Sequence, residues 1–220
     1  MGYYAKRLFN QKGGIDDYTV AYNFNGNAND LSSNGLNLTL SNGANLINDR
    51  LNILSDDISR AVVSDPMDIT SFEDKAFSIS VRFNITAFRS YNFIVLKGIN
   101  NQWQLDFFNG RLEFYIIGST APLSYLKAMS VMRFNINQTY DLLITYSGGV
   151  GNNFKIYVDS SLISHTYTIL NNYVKIRNLG LPLTLGYYNG YYGLNGWMDN
   201  FRIYKRELTQ LESIELANLQ

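Results

Sequence analysis

An all-β, two-sheet antiparallel jelly-roll sandwich with a short C-terminal helix is the fold class that three observations predict. Apolar residues recur with period two over many short segments; aromatics make up 15% of the 220 residues, with 17 Tyr and 13 Phe; and Asn and Gly punctuate the segments while only three Pro occur. Alternation turns every second side chain toward a core. Aromatic residues suit a pleated, half-buried surface, and Asn and Gly supply the turns. With 46% apolar residues the chain can fill one core of this size.

Taken in order, strands are expected at 18–24, 36–40 and 61–64. In Phe77-Ser-Ile-Ser-Val-Arg-Phe83 the odd positions are apolar and the even ones polar, which gives a strand with one wet face. A strand follows at 91–97. Two alternating runs, 102–108 and 111–117, flank Asn109-Gly110, and an Asn-Gly pair in that setting is the strongest short-range hairpin signal. Residues 140–146, 154–159, 183–186 and 197–204 complete the set. A sandwich is favoured over a barrel because inward Phe77, Phe83, Phe107, Phe114 and Phe154 would overfill a narrow lumen. Thr209-Gln-Leu-Glu212 has the spacing of a capping box. The helix it opens is expected to run to about Ala217 and to pack on the sheet edge through Leu211, Ile214 and Leu219.

Residues 1–17 read as an arm, either frayed or docking Tyr3, Tyr4, Leu8 and Phe9 onto a neighbouring subunit; residues 18–220 form the domain. With 18 basic and 18 acidic residues the chain lacks the positive footprint of a nucleic-acid or membrane-surface binder. It has no cysteine, so disulfides and thiolate chemistry are absent and any metal must be bound through oxygen. No apolar run is long enough for a spanning helix, and the first residues have no secretory apolar region.

Two stretches carry a family resemblance. One is Tyr22-Asn-Phe24-Asn-Gly26-Asn-Ala-Asn29-Asp30-Leu-Ser-Ser-Asn34-Gly35. The other is Gly196-Trp-Met198-Asp199-Asn-Phe201-Arg202-Ile203-Tyr204, followed by Glu207-Leu208-Thr-Gln-Leu-Glu212. Together with the strands between them they resemble the laminin G-like members of the concanavalin A-like lectin/glucanase superfamily, over about residues 18–218. The resemblance implies that the first and last strands lie side by side. The sequence departs from that pattern at Asp159-Ser-Ser and at Asn200, and 118–135 has no clear counterpart.

Three chemistries follow. Asn27, Asn29, Asp30, Ser32 and Asn34 crowd oxygens into one loop, and the implied neighbouring of the end strands would add Asp199. A structural calcium ion held by Asp30 and Asp199, with oxygens from Asn27 and Asn34, is one reading; a loop closed by its own Asx turns is the other. Tyr187-Tyr188-Asn189-Gly190-Tyr191-Tyr192 places four rings on a loop, where Tyr187, Tyr188, Tyr191 and Tyr192 could stack on a sugar and Asn189 could hydrogen-bond it; an interface patch explains it equally well. Hydrolysis of glycosides needs two facing carboxyls. The Glu-x-Asp-x-x-Glu signature of the family's enzymes does not occur, and Asp106 and Glu113, on polar strand faces, are expected to be solvated. His165 stands without a Cys or a nucleophile elbow and reads as a surface residue.

The function expected is therefore a non-catalytic binding or decoration module, contacting a glycan or a neighbouring structural protein and displayed on a phage virion through the arm. A secreted bacterial carbohydrate-binding or adhesion module is the alternative, and a glycoside-cleaving enzyme the weakest. The expected location is a virion surface or outside the cell.

Overall fold

The computed structural model describes residues 14–54, 58–98, 102–119, 123–177, 179–188 and 192–219. The expected arm falls almost wholly outside them, as do Asn189 and Tyr191.

In chain order the strands are β1 (Val20–Tyr22), β2 (Thr39–Ser41), β3 (Asn45–Ile47), β4 (Arg50–Ile53), β5 (Arg60–Val63), β6 (Phe77–Ile85), β7 (Tyr91–Lys97) and β8 (Trp103–Phe108). The second half adds β9 (Arg111–Ile117), β10 (Tyr125–Ser130), β11 (Thr139–Tyr146), β12 (Phe154–Val158), β13 (Ser161–Ile163), β14 (His165–Leu170), β15 (Leu183–Leu185) and β16 (Gly196–Tyr204), and helix α1 (Gln210–Ala217) ends it. One sheet runs β13-β12-β11-β6-β16-β4-β3, with β1 also on β16. The other runs β14-β10-β9-β8-β7-β15-β5-β2. Every pairing is antiparallel.

The opening and closing strands are direct neighbours, as the resemblance implied: Val20 pairs with Ile203 and Tyr22 with Phe201. The first half of β16 pairs instead with β4, so β16 meets two short strands along one edge and the long β6 along the other. The five inward phenylalanines are all buried, joined between the sheets by Trp103, Tyr146 and Phe201. Asn109 and Gly110 both take positive φ, 48° and 75°, which is what a two-residue hairpin between β8 and β9 requires.

Three expectations are corrected. Strands β3, β4, β10, β13 and β14 were not foreseen; β14 exposes nearly alternate residues and carries little apolar signal. The α1 capping box forms as read, Thr209 and Glu212 bonding reciprocally, but the buried face is different. Leu211 is 73% exposed, and it is Ser213 and Leu216 that turn toward the outer face of the first sheet, beside Leu143, Tyr157, Tyr204 and Leu208. The helix thus lies on a sheet face. Lastly, Asp106 and Glu113 are not solvated: they are 0% and 2% exposed.

Candidate functional site

The outer face of the second sheet is built by alternation in β8 and β9. Trp103, Leu105 and Phe107 enter the core, so Gln104 and Asp106 face outward; Leu112, Phe114 and Ile116 enter it, so Glu113, Tyr115 and Ile117 face outward. In β7 a bulge between Phe93 and Val95 changes the parity. Tyr91 and Phe93 stay on the outer face opposite Phe108 and Asp106, while beyond the bulge Val95 joins the core and Lys97 is buried.

The result is an aromatic cleft of about 380 Å³ lined by Tyr91, Phe93, Gln104, Tyr115, Ile117, Leu123, Tyr125, Tyr188 and Tyr192. Tyr188 stacks on Phe93 with ring centroids 4.5 Å apart and planes 13° apart. Tyr192 meets Tyr91 edge-on at 5.3 Å, and Tyr115 meets Tyr125 edge-on at 5.2 Å. These contacts preset the ring positions, so a ligand has little side-chain freedom to freeze.

Asp106 and Glu113 sit opposite each other across the β8–β9 ladder but do not line the cleft. Gln104 Nε2 donates to Asp106 Oδ2 at 2.9 Å; Tyr115 Oη and Lys127 Nζ each donate to Glu113 at 3.1 Å. Burial, and then the adjacent Glu113, push the Asp106 carboxyl well above the ordinary range, the Gln104 bond opposing. Its Oδ1 has no hydrogen-bond partner among the described residues. Burial and the same two acids raise the Tyr91 and Tyr115 hydroxyls, which remain protonated donors.

Of the loop rings named from the sequence, Tyr188 and Tyr192 enter this cleft. Tyr187 does not: Arg60 lies over its ring at 4.7 Å. Tyr91, Phe93, Gln104, Tyr115 and Tyr125 were missed. The available signal was Tyr115 and Ile117, apolar residues at the parity that solvent should hold.

The calcium expectation meets a different arrangement. Asp30 Oδ1 accepts from the backbone N–H of Ala21 and Ser32, and Oδ2 from the Ser32 hydroxyl and the Leu36 N–H. Around it run successive turns in which Asn23, Asn27, Asp30 and Ser32 side-chain oxygens each accept from the N–H two residues on. Asn34 Nδ2 donates to the Thr19 carbonyl. Asp199 lines another cleft, which contains Arg50, Arg82 and Arg202 and none of Asp30, Asn27 or Asn34. The Asp30 oxygens are engaged by four donors, and Asp199 lies in a different cleft with Asp16, Asp49 and three arginines, so the four residues named for a calcium ion are not brought together as one ligand set. The self-closed Asx loop is the form observed. Elsewhere among the described residues no three His, Asp or Glu side chains gather into a metal-binding group, and no helix there is long and apolar enough to cross a membrane. His165 Nε2 lies 2.8 Å from Asn152 Oδ1.

A family model of the laminin G type, described as the concanavalin A-like lectin/glucanases superfamily, matches residues 59–212. The chain belongs to that superfamily. Among solved structures it is similar to the binding domain of Paraclostridial Mosquitocidal Protein 1, with a TM-score of 0.72 and 18% identity over 92% of this chain and 52% of that one. It is also similar to the botulinum neurotoxin serotype D binding domain, TM-score 0.69 and 14% identity over 92% and 50%. The ligand binding domain of that serotype in complex with N-acetylneuraminic acid gives 0.66 and 17% over 93% and 51%. At these identities the likeness is one of fold, and the chain spans about half the length of each. A search of curated protein sequences gives no match.

Proposed function

We propose that this chain is a non-catalytic carbohydrate-binding module whose aromatic cleft receives the sugar. The observation that carries the reading is the cleft itself: six rings, Tyr91, Phe93, Tyr115, Tyr125, Tyr188 and Tyr192, converge with the Gln104 amide around a volume that admits a sugar ring or two. Aromatic faces take the C–H face of a pyranose, and hydroxyl and amide groups take its hydroxyls. The serotype D structure with N-acetylneuraminic acid supports carbohydrate as the ligand class on this fold.

Among the described residues, the facing acids beside the cleft are Asp106 and Glu113, which are buried under Gln104, Tyr115 and Lys127, out of reach of a glycosidic bond. That favours recognition without cleavage. The likeness in fold to binding domains of toxins supports a recognition role; display on a phage virion is the proposed setting and a secreted bacterial protein the alternative.

A glycan array probed with the wild type and with Tyr188→Ala/Tyr192→Ala tests this. Binding by the wild type, weakened at least about tenfold in the double variant and retained in Tyr187→Ala, is expected. Binding that survives the double variant would move the site elsewhere.

A further inference from the structure

Resting on the carbohydrate reading above, we infer that the cleft selects uncharged glycans and rejects those that present an acidic sugar to it. Of the described residues, nine line the cleft and none of them is charged: seven have aromatic or amide side chains, and two are aliphatic, Ile117 and Leu123. A carboxylate brought into it would lose hydration and find no guanidinium or ammonium in the wall, and burying a charge without a partner is costly. Lys127, on the neighbouring β10, is already engaged. Lys127 Nζ is 3.1 Å from Glu113 Oε1 and lies over the Tyr115 ring at 5.2 Å. Arg111 shares the outer face through its place in β9 but does not line the cleft.

The layer beneath offers an anion no partner either. Asp106 and Glu113 bond to the cleft residues Gln104 and Tyr115, so acids rather than free cations lie one side chain below the floor, and Glu113 is already paired with Lys127. A neutral pyranose meets none of these penalties. It gives up only hydroxyl hydration, which the Gln104 amide and the tyrosine hydroxyls can replace, and its C–H face covers the rings. The toxin domain crystallised with N-acetylneuraminic acid shares the fold at 17% identity; on this reading, the chemistry of the present cleft parts from that ligand.

The test is an array of neutral oligosaccharides printed beside the same oligosaccharides capped with N-acetylneuraminic acid, read with the wild type and with Tyr188→Ala/Tyr192→Ala. Neutral members that bind through the cleft, with their capped counterparts at least about tenfold weaker, are the expected result. Capped members that bind as well or better, with loss in the double variant, would overturn the selectivity and leave carbohydrate binding at the cleft standing. No binding to either set would overturn the carbohydrate reading and this inference with it.

Discussion

Asp106 and Glu113 face one another across the β8–β9 ladder, both shut off from water, with one Asp106 oxygen left without a hydrogen-bond partner among the described residues. Two acids in direct register inside a sheet are ordinarily repulsive. Here burial, and then Glu113, raise the Asp106 carboxyl well above its ordinary range, which favours its neutral form and relieves the conflict.

The pH dependence follows. Between about pH 4, where an exposed Asp titrates, and the higher value at which folded Asp106 ionises, the folded chain keeps a proton that the unfolded chain has released. Stability contributed by this site therefore falls as pH rises through that window. Asp106→Asn removes the titration while keeping the shape, so its melting temperature should exceed that of the wild type near neutrality and converge with it toward pH 4. Parallel melting curves for the two proteins across the range would refute the assignment.

Lys97 is fully buried, 2.5 Å from Asp65 and 3.2 Å from Asp68. Burial acts to raise the Asp65 carboxyl, but the bonds from Lys97, Thr70 and Ile69 bring it below its ordinary value, which favours the carboxylate at Asp65. Lys97→Met leaves buried charge without its partner and should cost about 3 to 5 kcal/mol in chemical denaturation. A loss under about 1 kcal/mol would mean that water reaches the site.

Asp30 closes its loop with four hydrogen bonds and needs no ion to do so. EDTA should leave the melting temperature unchanged, whereas Asp30→Ala, which orphans three backbone donors, should cost about 1 to 3 kcal/mol. A chelator-induced drop in the wild type, absent in Asp30→Ala, would restore the calcium reading of this loop.

Gly196 opens β16, and a Cβ there would stand 1.9 Å from the Asn84 carbonyl oxygen on β6. Gly196→Ala must push the two strands apart and should cost about 1 to 3 kcal/mol or more. Gly14→Ala meets nothing within 4 Å and serves as the control.

The legible parts of the fold were those where one face is dry and the other wet. β6 alternates cleanly and β11 and β12 largely do, and the Asn109-Gly110 turn and the Thr209-Glu212 cap depend on neighbours in sequence alone. Short edge strands such as β13 and β14 carry little apolar signal because little of them is buried. The cleft was half legible. Tyr188 and Tyr192 stood out as a cluster, but Phe93, Gln104, Tyr115 and Tyr125 come from four strands that only the ladder brings together. The β7 bulge hid Lys97 too, since strict alternation would place it outside with Tyr91 and Phe93. Leu211 and Ile214 misled for the opposite reason: they fit a helical spacing, yet the face that docks is set by where β16 delivers the chain.

The most direct measurement is a backbone NMR titration of the labelled protein with the neutral oligosaccharide that binds best on the array. Shifts confined to Tyr91, Phe93, Gln104, Tyr115, Tyr125, Tyr188, Tyr192 and their strand neighbours are predicted. Shifts centred instead on the 23–36 loop or on the Arg50, Arg82 and Arg202 cleft, with the aromatic cleft silent, would contradict the account.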